Sequence, residues 1–88
     1  MKVAFRQSFH RDLKKLKDKT LRKRIRKAIE AVEKGTKLED VPQLKKLTGH
    51  DECFRLRVGD YRLGMIVKKD AVEFVRCLHR KELYRFFP

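Results

Sequence analysis

The segment Phe54-Arg55-Leu56-Arg57-Val58-Gly59-Asp60-Tyr61-Arg62-Leu63 leaves the backbone few choices. Apolar residues alternate with arginine up to Val58, which predicts a strand with one apolar face and one cationic face. Gly59-Asp60 is a two-residue Gly-X signal that favours a tight hairpin. With Val58 and Tyr61 flanking the turn, the register follows. Arg57 lies opposite Arg62, and Arg55 opposite Gly64, all on one face. Two arginines side by side repel each other, and a fold keeps such a pair where something anionic sits between them. The competing reading is an ordinary solvated strand face.

The rest of the pattern supplies what this hairpin packs against. Lys2 to Arg6 reads as a short strand with Val3 and Phe5 on one side. Ser8 is the expected N-cap of a helix whose apolar stripe is Phe9, Leu13 and Leu16. After a break at Asp18 to Thr20, a stronger stripe runs through Leu21, Ile25, Ala28, Ile29 and Val32, and Gly35 ends it. Residues 36–50 read as a connecting segment, with Leu38, Val41, Leu44 and Leu47 tucked against the core edge. Strands are expected at roughly 52–58, 61–67 and 71–79, with Lys69-Asp70 as the second turn. A tight second turn sets Val67 opposite Val72 and Met65 opposite Phe74. It also sets Cys77 beside Arg62, with His79 one step beyond. Arg76 then falls on the apolar side, at the rim or at a bulge. Lys81 to Phe87 reads as a short helical turn or tail.

The expected fold is α+β, in the order β-α-α-β-β-β. A two-helix hairpin covers one face of an antiparallel sheet. The other face is open and carries Arg55, Arg57, Arg62 and His79. A chain of 88 residues, 41% hydrophobic, makes one small domain over residues 1–88 with a modest core. No apolar run is long enough to span a bilayer, and Met1 to Arg6 lacks a signal-peptide core, so a cytoplasmic protein without membrane contact is expected.

The formal net charge of +13 predicts a polyanionic partner. The excess is uneven: residues 1–50 hold 16 basic and 6 acidic residues, and residues 51–88 hold 9 and 6. Lys14, Lys15, Lys17, Lys19, Arg22, Lys23, Arg24, Arg26 and Lys27 form a helical electrostatic field, read either as a docking surface for RNA or protein or as a solvated face. Lys23, Arg26 and Lys27 are its candidate RNA contacts. The ordered arginines of the second half read as a site. Cys53 and Cys77 have no metal-ligand spacing and are expected to be buried small hydrophobes, and His10, His50 and His79 are scattered, so neither a metal nor another cofactor is expected.

The element order, Leu47-Thr48-Gly49, the hairpin residues 55–63 and the terminal His79-Arg80…Tyr84-Arg85 together resemble the RelE/ParE toxin superfamily. The resemblance covers essentially the whole chain. It implies the toxin of a type II toxin–antitoxin pair with the RelE-like fold. In the RelE branch such toxins are messenger-RNA endonucleases, many of them ribosome-dependent. In the ParE branch they inhibit DNA gyrase. Carried over residue by residue, the resemblance gives site roles to Arg55, Arg57, Arg62, Arg80 and Tyr84. The sequence departs from well-known RelE enzymes at Arg55 and Arg57, where those enzymes have lysines. The resemblance further implies a cognate antitoxin, messenger RNA and the A site of the small ribosomal subunit as partners, with operator DNA reached only through the antitoxin complex.

Metal-free RNA cleavage uses the neighbouring 2′-OH as nucleophile. It needs a base on that hydroxyl, cationic donors around the phosphorane-like transition state and an acid on the departing 5′-oxygen. Arginine suits the second task, because its planar fork binds phosphate oxygens in a bidentate manner and stays charged. Arg57 and Arg62 are the expected transition-state stabilisers, and Arg55 holds a flanking phosphate. Arg80 is a further clamp or proton donor, and Tyr84 is placed to stack on an unpaired base. The base is open between His79, Tyr84 and a group of the ribosome. His79 also has a plain structural reading, as does Tyr84 packed beside Phe86 and Phe87.

Overall fold

The alternation through residues 54–63 becomes the centre of the sheet. The computed structural model describes residues 1–35 and 37–88; Thr36, at the head of the expected connecting segment, lies outside the described residues. Strand β1 spans Lys2–Phe5, followed by helices α1 (Gln7–Lys14) and α2 (Lys19–Lys34). Then come strands β2 (Leu44–Lys46), β3 (Cys53–Val58), β4 (Tyr61–Lys68) and β5 (Ala71–His79), and a short helix α3 (Leu83–Phe86). The expected α+β architecture is present, with strands β3 to β5 within a residue of the expected bounds.

Two features of the sheet differ from expectation. It has five strands in the order β1-β5-β4-β3-β2, because Leu44–Lys46 adds an edge strand antiparallel to β3. It is also mixed rather than antiparallel: β1 runs parallel to β5, with Val3 beside Val72 and Phe5 beside Phe74. The two helices carry the chain to the far edge of the sheet, where β2 enters antiparallel to β1's direction; the chain then steps back strand by strand through β3 and β4, so that β5 arrives beside β1 pointing the same way. β1 spans only the first half of β5. Past Phe74 the β5 edge is covered by α1: Arg6 N–H donates to Phe74 O at 2.9 Å, and Ser8 Oγ donates to Val75 O at 2.6 Å. Ser8 therefore serves this edge instead of capping α1, whose N-cap is Arg6. Asp18 does cap α2, its carboxylate accepting from Leu21 N–H at 3.1 Å.

One face of the sheet packs on both helices. Phe9, Ile25 and Val32 meet Leu56, Val58, Leu63, Met65, Val72, Phe74 and Cys77. Leu38, Val41 and Leu44 extend this core, as their apolar character predicts. Asp12 of α1 is 6% exposed within it. Its carboxylate accepts from Arg76 Nε at 2.8 Å and Nη2 at 3.1 Å, and from Cys77 N–H at 2.9 Å, so a buried charge is fully partnered and one edge N–H of β5 is satisfied.

The other face is partly closed rather than open. Leu83 and Phe87 fold back over Leu47, Cys53 and Val75, with Ile66 and Leu78 alongside. Gly64 permits this: a Cβ there would lie 2.8 Å from two Phe87 ring atoms. What stays uncovered is the end of this face near the β3–β4 turn. Among the described residues no helix is long and apolar enough to cross a membrane.

Candidate active site

The hairpin register is the one its residue pattern predicts. Val58 pairs with Tyr61, Arg57 with Arg62 and Arg55 with Gly64. Gly59 takes a φ of 59°, the left-handed region that a two-residue turn of this kind uses at its first position. Directly opposite residues of an antiparallel pair have Cβ atoms roughly 4.5–5.5 Å apart, so the Arg57 and Arg62 side chains leave the sheet as neighbours.

Arg62 is the best-held member of the cluster. Its Nη1 donates to Gly59 O at 2.8 Å and to Tyr61 O at 3.0 Å, which folds the side chain over the turn and leaves the rest of the guanidinium to face outward. Burial, and then the neighbouring Arg55, Arg57 and Arg80, push its pKa below the usual arginine value, with Tyr84 acting in the opposite sense. These are the residues that the sequence pattern and the resemblance single out, and they share one field. Guanidinium groups crowded this way leave a local excess of positive charge that an anion would relieve.

Arg80 reaches the cluster through the turn. Its N–H donates to Asp60 O at 2.7 Å, and its Nε stands 4.0 Å from Asp60 Oδ1. The backbone bond anchors Arg80 beside the hairpin. The long, exposed ion pair holds the side chain weakly, at about 0–1 kcal/mol. Tyr84, on α3, is 66% exposed, so its ring is not part of the core that takes Leu83 and Phe87.

His79 does not join the arginines. Gly64 pairs with Arg76 and Met65 with Phe74, so Val75 is an extra residue on β5 and shifts the remaining register by one. Leu78 comes to lie opposite Arg62, and Cys77 sits opposite Leu63 in the helix-side core. His79 pairs with Tyr61, ring against ring at 5.6 Å, and its Nδ1 accepts from Lys81 N–H at 3.2 Å. The bulge anticipated at Arg76 is thus what removes both Cys77 and His79 from the places beside Arg62.

The helix cations divide. Lys27 and Arg24 line a groove with Arg57 and Gln43 at the β3 edge, so Lys27 extends the arginine cluster around the sheet. Arg26 lines a separate groove with Phe5, His10, Leu13, Ile25 and Ile29 between the two helices, away from the cluster. Lys23 is exposed on α2 and lines neither groove. Arg22 donates to the carbonyls of Leu13 and Leu16, so its role is to close the end of α1. Sequence reasoning missed Lys45, which β2 places directly opposite Arg55 on the arginine face. The alternation Gln43-Leu44-Lys45 was the available signal, but at three residues the strand is too short to read as one.

Comparison with known proteins places the chain by family and fold. Residues 3–84 match the family model described as the ParE toxin of the type II toxin–antitoxin system parDE. The chain is 42% identical to a Methanocaldococcus jannaschii protein named Toxin RelE3, and the alignment spans the whole of both chains (100% of each). Its structure is similar to the toxin of a RelB–RelE antitoxin–toxin complex from Methanococcus jannaschii, with a TM-score of 0.80 and 38% identity over 97% of this chain and 99% of that one. A RelE–RelB complex from Pyrococcus horikoshii shares the fold, with a TM-score of 0.74 at 20% identity over 93% of this chain and 97% of that one.

Proposed function

We propose a ribonuclease activity for this chain, which belongs to the RelE/ParE superfamily of toxins from type II toxin–antitoxin systems. The observation that carries the proposal is the cross-strand pairing of Arg57 with Arg62, with Arg55 on the same face opposite Gly64 and Arg80 anchored to the same turn through Asp60. A surface that only faces water or fills a core has no use for two arginines paired directly across strands. A phosphodiester in passage to a phosphorane has use for each of them.

In this reading an unpaired stretch of messenger RNA lies along the arginine face. Arg57 and Arg62 bracket the scissile phosphate, and Arg55 takes the next phosphate along β3. The 2′-oxygen attacks phosphorus as its proton passes to a base. A new 2′-O–P bond forms while the P–O5′ bond breaks, and the departing 5′-oxygen takes up a proton from Arg80 or from water. The products are a 2′,3′-cyclic phosphate and a 5′-hydroxyl end. Tyr84 stacks on a neighbouring base and fixes the nucleotide in the in-line geometry the attack needs. Tyr84 or a ribosomal group supplies the base. The ribosomal A site would present the message unpaired and stretched. RNA of which only the nucleotide 5′ to the mapped cut carries a 2′-deoxyribose tests the chemistry: it resists the protein if the 2′-oxygen is the nucleophile, and cleavage at the same bond refutes the mechanism.

A cognate antitoxin is the protein partner in this reading, as RelB is for the Methanococcus jannaschii toxin. An acidic antitoxin segment would neutralise the helix cations and cover the arginine face or displace the C-terminal tail.

The matching family model is that of ParE toxins, and it favours a second reading, a non-nuclease inhibitor of DNA gyrase. Arginine at positions 55 and 57, in place of the lysines of well-known RelE enzymes, points the same way. A protein that acts by binding gyrase has less need of a phosphate-centred cluster, and the two are separated by a supercoiling assay beside an RNA cleavage assay.

A further inference from the structure

The arginine face does not end at Arg55. Lys45 pairs directly with it across β2 and β3 and projects on the same side of the sheet. Beyond Lys45 the surface dips into a groove of about 360 Å³, between the β2–β3 connection and the C-terminal tail. A volume of that order falls within the ~300–1,000 Å³ of small-ligand sites. Lys45, Lys46, Thr48 and His50 line one wall, and Tyr84 and Phe87 line the other. No acidic side chain lines it. Among the described residues Lys45 has no carboxylate within ion-pair distance, and Lys46 has only Asp51, at 3.7 Å on the surface. An aromatic ring, the ammonium group of Lys45 free of any ion pair among the described residues, and hydrogen-bonding side chains that can donate or accept thus surround one concave space, continuous with the arginine row.

We propose that Lys45 and His50 complete a nucleotide subsite for single-stranded RNA, next to the scissile phosphate. Lys45 holds the phosphate that follows the one at Arg55. The base enters the groove and stacks on Tyr84. His50 and Thr48 meet the base edge, so they set which base is preferred. This inference rests on the ribonuclease reading and adds to it the residues that choose the substrate. Cationic backbone contacts supply sequence-independent affinity, and groups on the base edge supply selectivity.

The test uses short, fluorescently labelled, 2′-O-methylated oligoribonucleotides of A, C, G and U, which bind without being cut. Anisotropy is measured for the full-length protein and for Lys45→Ala, His50→Ala and Tyr84→Ala across a salt series. All three positions are exposed, so circular dichroism should show the fold kept. Lys45→Ala is expected to weaken binding to every probe and to flatten the salt slope by about 0.7, the value for one lost phosphate contact on a single strand. Tyr84→Ala is expected to weaken all four at least about fivefold. His50→Ala is expected to level the differences among the four while leaving the salt slope alone. In cleavage of an unmodified message, Lys45→Ala should raise KM and leave kcat within a few fold. Wild-type slope for Lys45→Ala together with wild-type base preference for His50→Ala overturns the subsite. If the wild-type protein still cuts the message in a translating extract in that case, only the subsite falls; a wild-type protein that neither binds the probes nor cuts the message in that extract takes the ribonuclease reading down with it.

Discussion

Replacing Gly64 with alanine should turn the close contact between sheet and tail into a measurable cost. A Cβ at position 64 would lie 2.8 Å from Phe87 Cγ and Cδ2 and 3.0 Å from Cδ1. Carbon atoms rest at about 3.5–4.0 Å, so the ring must retreat by the better part of an ångström. Phe87 is 3% exposed and wedged with Leu83 against Leu47, Cys53 and Val75, which limits where it can go. If the ring stays, overpacking costs about 1–3 kcal/mol. If the tail lifts instead, the burial of Phe87 is lost, at about 1.5–3 kcal/mol. Both routes give a similar figure. Against it stands the gain of about 0.4–1 kcal/mol from removing glycine's freedom in the unfolded chain. In a Phe87→Ala background the clash disappears and only the gain remains. Urea denaturation of the wild type, both single variants and the double variant should therefore show a change of sign: Gly64→Ala destabilises the natural chain and stabilises the Phe87→Ala chain, with a coupling of at least about 1 kcal/mol. The same effect in both backgrounds would refute the docking of the tail on this face, and with it the placement of Tyr84 beside the arginines.

Other consequences follow from the same contacts. Asp12→Ala removes both bonds to Arg76 and the acceptor for Cys77 N–H, and should cost about 3–5 kcal/mol in chemical denaturation, a large part of what a domain of this size has. Burial pushes the Cys77 thiol up to about 12 from an ordinary 9.0, and Cys53 is raised in the same sense, so neither should react with a thiol reagent at pH 8 until the protein unfolds. The unfolded chain loses the Cys77 proton near pH 9 while the native chain keeps it. Stability should accordingly fall by about 1.4 kcal/mol per pH unit from pH 9 towards 12, a slope that Cys77→Val should lack when the two are compared by pH-dependent denaturation. Asp18→Ala removes the cap of α2 and should cost about 1 kcal/mol by thermal unfolding.

The parts of the fold that were legible are those with a repeated local signal. Alternation up to Val58, followed by Gly59-Asp60, specifies strand, turn, register and face together, and the hairpin follows all four. The stripes from Phe9 and from Leu21 each exceed two turns, enough for period 3.6 to stand out. What escaped is non-local or short. Lys2–Phe5 carries no mark of which strand it joins or in which direction, because that pairing is decided by where the rest of the chain enters the sheet and how many strands it lays down before β5, not by the strand's own residues. Leu44–Lys46 is three residues long, and with it Lys45 went unseen. Arg76 did signal an irregularity on β5. A bulge moves every later residue to the other side, and that alone separates His79 from the arginines it was expected to join. The candidate site was legible in its arginines because cross-strand charge has a cost that packing does not explain. Its outer groove was not, since Lys45, His50 and Tyr84 come together only when the tail folds back.

Arg57 offers the most direct test of the arginine face. It is exposed and makes no side-chain hydrogen bond among the described residues, whereas Arg62 also clamps the turn through Gly59 and Tyr61, so removing Arg57 probes chemistry with the fold left alone. Purified protein and its Arg57→Ala variant, both free of antitoxin, would be added to a translating extract and the 5′ ends of the message mapped by primer extension. Discrete new ends with the natural protein, reduced at least about 10²-fold by Arg57→Ala, are the expected result. An intact message, or equal cutting by both proteins, would contradict the arginine-face ribonuclease; an intact message accompanied by inhibited gyrase supercoiling would establish the ParE-like reading in its place.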